Sequence, residues 1–260
     1  MAYFEKFTEQ EIPYETLEKF GLTQEMIDDL PGNVKQKLLS SRWTPVLPII
    51  TEDDFGEKHK ASARIKLERL SDGSVDVAFA PYCGFDNIGS YDEDQQEKLR
   101  NGEVIIAEVK TKDGTRQKCY VQFDKDTNQT MYVPQLVIHQ NISILADREG
   151  LDFTDRETLQ DCGILEITDN KNNIASIGID LNDRTGIRVA DGDRAIWLSE
   201  GQAQDALPKY NFGINGCWIA DEAGQLSYVE DNDFTEEMYK EMDRQKLQNA
   251  AGAQQAGLRR

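Results

Sequence analysis

Histidine occurs only twice in this chain, at His59 and His139, and its four cysteines stand far apart at positions 83, 119, 162 and 217. No two cysteines form C-x-x-C, so zinc-ligand spacing is lacking, and the thiols read as the reduced cysteines of a cytosolic protein. G-x-S-x-G, a P-loop and H-E-x-x-H are also missing, which removes the best-marked hydrolase, nucleotide and metalloprotease signatures. No apolar run approaches a membrane span; the stretch from Val46 to Ile50 is short and contains Pro48. Met1-Ala2-Tyr3-Phe4-Glu5-Lys6 does not lead into an apolar segment, so no secretory signal is read there. These absences predict a cytoplasmic protein with no metal, no cofactor and no membrane partner.

Positive charge is scarce as well. Against 48 Asp and Glu there are 29 Lys and Arg, a formal net charge of -19. Such a surface repels phosphate backbones, which disfavours direct nucleic-acid binding. Lys58-His59-Lys60, with Arg64 and Lys66 nearby, is the densest basic segment. The acid excess either keeps the protein soluble or meets a basic partner, including a DNA-binding groove that a DNA mimic would occupy. Hydrophobic content of 38% and a mean hydropathy of -0.63 allow modest cores, and small units bury little surface each.

What the chain does have is a repeated pattern. Leu39-Ser40-Ser41-Arg42-Trp43-Thr44, Leu99-Arg100-Asn101-Gly102-Glu103-Val104 and Leu159-Gln160-Asp161-Cys162-Gly163-Ile164 fall sixty residues apart. After each come alternating apolar runs around polar turns. In the second copy Val104 to Val109 runs to a turn at Lys112-Asp113-Gly114. Cys119 to Phe123 then meets Asp124-Lys125-Asp126-Thr127-Asn128 before Thr130 to Val133 returns. Ala63 to Leu67 with Val75 to Phe79, and Ile177 to Leu181 with Ile187 to Val189, repeat the design. Period-two alternation around Asp, Asn and Gly is a hairpin signature. Each unit therefore reads as a short helix, a strand and a hairpin. The predicted fold is α+β: tandem repeats of about sixty residues, with an N-terminal helical leader and a C-terminal helix. The expected boundaries are 1–90, 91–148, 149–230 and 231–260.

In the leader, Thr8 to Glu11 fits a capping box, Tyr14, Leu17 and Phe20 recur at helical spacing, and Gly21 closes the helix. Thr23 caps a second helix through Leu30, and Pro31-Gly32 precede a third with Val34, Leu38 and Leu39. Three short helices invite a helix-turn-helix reading, but residues 1–30 hold eight acids and two lysines. A helical cap on the first β unit fits that charge better. Asp233-Phe234-Thr235-Glu236 opens a last helix with Met238, Tyr239, Met242 and Leu247 as its stripe. From Asn249 the chain has no large apolar residue until Leu258, and a mobile tail is expected.

Chemistry is thinly marked. Asp124-Lys125-Asp126-Thr127-Asn128 begins like an EF-hand loop, but Gln129 replaces the glycine and Gln135 the closing glutamate, so a turn is expected. Asp169-Asn170-Lys171-Asn172-Asn173 places a cation at the third ligand position and reads as a turn. Asp191 and Asp193 around Gly192 offer an acid-base pair that is also turn sequence; a pocket would need them to meet His139. A Cys–His pair would need one of the four cysteines against His59 or His139. Phe212-Gly213-Ile214-Asn215-Gly216 has the glycines of a phosphate cradle, but Cys217-Trp218-Ile219-Ala220 after it reads as a strand where a helix is required. Trp43, Trp197 and Trp218 read as core. No catalytic, cofactor or metal residue is assigned.

Two segments carry a family resemblance. Phe20-Gly21-Leu22 through Pro31, Val34 to Leu39 and Arg42-Trp43-Thr44 resemble a domain of unknown function from Bacteroidales mobile elements. Leu99-Arg100-Asn101-Gly102-Glu103 with its hairpin is similar to a companion domain carrying Leu-x-x-Gly-Glu. The resemblance covers roughly residues 10–135 and more weakly 150–192, and departs at Ser40-Ser41, where glycine is commoner. It implies tandem units in conjugative-transposon proteins, sometimes beside type IA topoisomerase domains, although no such module or catalytic tyrosine context is present here. It implies no activity and no site residue. The reading is a non-enzymatic protein-interaction module of a mobile element or phage, its hairpin edges and acidic leader docking on a basic or DNA-processing protein. An acidic DNA-mimic inhibitor and an enzyme of unrecognised class are the alternatives.

Overall fold

The computed structural model describes residues 6–110, 114–168, 172–202 and 207–257, and the side chains of 200–202 and 249–257 fall outside that description. The expected turn at Lys112-Asp113, the polar turn at Asp169-Asn170-Lys171, the first five residues and Leu258 lie outside the described residues. Four three-stranded antiparallel sheets are present among them, together with short N-terminal helices and a C-terminal helix. The chain divides into one unit made of Met1–Pro81 with Ala206–Arg260, and a second made of Tyr82–Asp205.

In the first unit, α1 (Tyr14–Lys19), α2 (Gln24–Asp28) and α3 (Gly32–Leu39) form because each has a local start signal. The Thr23 hydroxyl accepts the Met26 amide at 3.3 Å, for example. Their apolar residues Leu17, Ile27, Val34 and Leu38, with Leu22 from the link between α1 and α2, are fully buried. They cover a sheet of β1 (Leu47–Glu52), β2 (Lys58–Arg69) and β3 (Val75–Pro81), whose inward residues Leu47, Ile49, Ala63, Ile65, Leu67 and Val77 alternate as a half-buried sheet requires. Residues 210–230, placed by the sequence within the third repeat, form a further sheet, β10 (Tyr210–Phe212), β11 (Gly216–Ala220) and β12 (Leu226–Glu230). Trp218 and Leu226 complete the leader's own core, and the Leu226 amide donates to the Val46 carbonyl at 2.9 Å. After it, α8 runs Glu236–Gly257, past the Asn249 where the sequence suggested a tail.

The second unit carries two copies of the repeat. The first has α4 (Glu93–Arg100), β4 (Ile105–Lys110), β5 (Arg116–Asp124) and β6 (Gln129–Pro134). After α5 (Gln135–Glu149), a helix outside the repeat, come α6 (Phe153–Gln160), β7 (Leu165–Thr168), β8 (Ile174–Ile179), β9 (Ile187–Asp191) and α7 (Arg194–Gln202). On β5, Cys119, Tyr120 and Val121 are all fully buried. Cys119 and Val121 face Leu99 of α4, while Tyr120 packs with Ile138 and Ile142 of α5 and Ile177 of β8, so both sides of this sheet are covered.

The repeated motif resolves into one local device, a helix stop. Arg42 N donates to Lys37 O, Glu103 N to Lys98 O and Gly163 N to Thr158 O, at 2.8–3.0 Å. In each case the residue before that amide, Ser41, Gly102 or Cys162, has positive φ (55°, 81° and 62°). These are Schellman turns. They align Leu38 with Leu99 and Leu159, all fully buried, which corrects the sequence alignment on Leu39 by one residue. Ser41 takes the glycine's place because its buried hydroxyl donates to Leu67 O at 2.8 Å.

Candidate functional site

The most elaborate polar arrangement of the first unit surrounds Asp29, the residue that ends α2. It is 4% exposed, and no cation pairs with it among the described residues. Its carboxylate instead accepts the Ile214 amide at 2.7 Å, the Asn215 amide at 2.9 Å and the Tyr228 hydroxyl at 2.7 Å. Its carbonyl accepts Asn211 Nδ2 at 3.0 Å. Consecutive amides around a carboxylate are an anion nest. The glycines follow from it: a Cβ at Gly213 would collide with the Asp29 carboxylate, and one at Gly216 with the Tyr228 ring. Burial first, then the hydrogen bond to Asp29 and its charge, push the Tyr228 hydroxyl above the usual tyrosine range, so it stays a donor. The segment that lacked the helix of a phosphate cradle is thus a cradle for the chain's own anion. Trp218 closes it by donating Nε1 to the Met26 carbonyl at 2.8 Å. Nothing local marked Asp29, because its partners lie about 185 residues along the chain.

Beside this cradle, Phe212, Ile214, Asp231, Phe234, Tyr239 and Met242 line an open cleft of about 410 Å3. Phe234 packs edge-on against Phe212 at 5.6 Å and Tyr239 at 5.7 Å between ring centroids. Ile214, on the lip, is 92% exposed.

Several of the other sequence candidates are taken up by structural bonds. His139 does not meet a cysteine; its Nε2 lies 3.0 Å from the Tyr120 hydroxyl. That hydroxyl donates its single proton to Gln160 O at 2.7 Å, so His139 Nε2 is the donor in the pair. Burial, with Asp161 adding to it, pushes the Cys162 thiol up to about 11, away from thiolate chemistry at neutral pH. Asp193 caps α7, its carboxylate accepting the Ile196 amide at 3.0 Å. It does not gather with Asp191 and His139 into a cluster. Asp124 is buried and folds its own turn, accepting the Thr127 hydroxyl at 2.8 Å and the Asp126 amide at 3.2 Å. Trp197 lies 3.8 Å under the Arg188 guanidinium, which also bonds Asp180 at 2.8 Å. Of the basic segment, Arg64 is buried against Thr44 O and Lys66 pairs with Glu68 over the Trp43 ring.

One group that the sequence did not single out is Asp53, Glu57 and His59 on the β1–β2 hairpin, whose ligand atoms lie within 4.8 Å of one another. All three are exposed, and the Asp53–His59 contact at 3.1 Å, followed by the Glu57 and Phe55 amides, holds the Asp53 carboxyl below the usual range. These are the residues that could take a cation. Large apolar side chains standing in solvent were missed as well: Phe55 is 91% exposed on that same hairpin and Phe85 88% exposed in the loop after β3.

Residues 7–83 match a family model described as a protein of unknown function (DUF4099). The match covers the leader and the first sheet, which agrees with the resemblance read from Phe20 to Thr44. No curated protein and no solved structure matches the chain. No described helix is long and apolar enough to cross a membrane.

Proposed function

We propose that this chain is a non-enzymatic protein-interaction module that docks on a basic, DNA-processing protein of a mobile genetic element or phage. The observation that carries the docking is the set Phe55, Phe85 and Ile214, each about nine-tenths exposed at a loop tip. Scattered exposed apolar residues are ordinary, but whole side chains on protruding turns are the anchors that interfaces use. Phe55 stands among Glu52, Asp53, Asp54 and Glu57, and Phe85 beside Asp86. An apolar anchor flanked by carboxylates in its own turn, with Lys58 set opposite Glu52 at the base of the Phe55 hairpin, fits a pocket edged by Lys and Arg. The -19 net charge accelerates the encounter. Asp193 caps a helix, His139 is bonded to Tyr120 and Cys162 is held as a thiol, which supports a non-enzymatic role. The mobile-element setting rests on the family resemblance of residues 10–135.

Affinity capture of tagged protein from its native cells, with and without nuclease, tests the reading. A DNA-processing protein recovered independently of nuclease, and lost from Phe55→Asp or Phe85→Asp, is the expected result. Recovery that vanishes with nuclease, or that both substitutions leave intact, overturns it. Inhibition of a DNA-binding enzyme that disappears at high salt would point instead to DNA mimicry.

A further inference from the structure

In a chain with 30% charged residues, the stretch from Thr127 to Ala146 contains no Asp, Glu, Lys or Arg, and no other stretch of the sequence free of them is as long. It ends where Asp147 bonds Arg156 and Arg148 bonds Glu149. Its second half is α5, which buries Ile138, Ile142, Leu145 and Ala146 on one side. The opposite side is apolar too: Leu136 is 82% exposed, Ile144 60% and Val137 46%. Leu136, Gln140 and Ile144 follow at four-residue spacing and form one stripe, with Val137 beside it. An exposed helix face would ordinarily be charged.

We infer that the outer face of α5 is a homodimer interface, occupied by the same face of a second copy. The argument is electrostatic. Two copies that each carry -19 repel one another over most of their surfaces. The uncharged stretch of α5 is where they meet with the least of that penalty while covering exposed Leu, Val and Ile. A basic partner, by contrast, would gain nothing from a face without carboxylates. Two-fold pairing is self-complementary. With the helices antiparallel, Leu136 of one copy lies against Ile144 of the other and Gln140 falls on the axis against itself. One helix face per copy is well below the ~1,600 Å2 of a standard interface, so weak and reversible association is expected.

Sedimentation of the full chain from about 1 to 200 µM reads this directly. The expected result is reversible doubling of the 29.5 kDa mass, stronger at about 0.5 M than at about 0.05 M salt because screening weakens the repulsion. Leu136→Glu and Ile144→Lys should each weaken association at least tenfold and leave the circular dichroism of the monomer unchanged, since both side chains are exposed. Combined in one chain, they should restore it, because each introduced carboxylate then faces an introduced ammonium on the other copy. Gln140→Cys should cross-link on oxidation in a way that the wild type, oxidised in parallel, does not. A monomer at every concentration, or a dimer indifferent to both single substitutions, overturns the inference. Failure of both the double substitution and the Gln140→Cys cross-link overturns the antiparallel pairing. These readings are independent of the loop-tip variants.

Discussion

The two units close their cores in different ways. Unit 2 is a continuous segment, and its sheets are knitted by bonds of moderate sequence separation, such as Leu181 N to Gln122 Oε1 at 2.6 Å across 59 positions. Unit 1 is assembled from the two ends of the chain: Asp29 is held by residues 214, 215 and 228, and Met26 by Trp218. Continuity makes one unit self-sufficient, whereas the other depends on contacts whose loop-closure entropy is large.

The largest expected effect separates them outright. Deleting residues 206–260 should unfold unit 1, by exposing the Trp218 site and orphaning Asp29, while residues 82–205 alone keep a cooperative thermal transition. Loss of both transitions on deletion would refute the contrast. Within the intact chain, Asp29→Ala leaves two amides and the Tyr228 hydroxyl without their acceptor and should cost about 2 kcal/mol. Urea unfolding should show that loss in the Trp218-containing unit, with the Trp197-containing unit unchanged.

Alkaline pH probes both units at once. Burial raises Cys217 in unit 1 and Cys162 in unit 2 to about 11 from an ordinary 9.0. The unfolded thiols ionise first, so their contribution is complete below pH 9 and is lost between pH 9 and 11. Tyr228 and Tyr120, raised by burial above the usual tyrosine range, extend the loss to higher pH. Each of these thiols should contribute on the order of 2 kcal/mol to the loss, and Cys162→Ala should remove that share from unit 2 alone. The smallest effects sharpen the repeat. Gly102→Ala should cost about 1 kcal/mol at its positive φ. Cys162→Gly, at the equivalent turn, should stabilise by about 0.5 kcal/mol through relief of the same strain. Denaturant midpoints measure both, and equal signs would refute the equivalence of the two turns.

Local chemistry made much of this fold legible. Thr23 and Thr235 announce helices, and alternating runs around Asp and Gly announce hairpins, because caps and turns are satisfied within a few residues. The alignment of repeats slipped by one residue because Leu38 and Leu39 are adjacent and only burial distinguishes them. The helix α5 went unread because its apolar residues face both ways, which erases the periodicity that marks an amphipathic helix. Its missing charges were the available signal.

The sequence by itself determined the leader helices, the α-β-β-β repeat and the excess of acid, all of which depend on near neighbours or on composition. Only the tertiary structure decided that residues 210–230 join the N-terminal unit, that the Gly213–Gly216 turn cradles Asp29, and that one face of α5 is left uncovered. The physical reason is distance along the chain: a carboxylate and the amides that receive it some 185 residues later leave no local pattern, and burial is settled only when the whole core has closed.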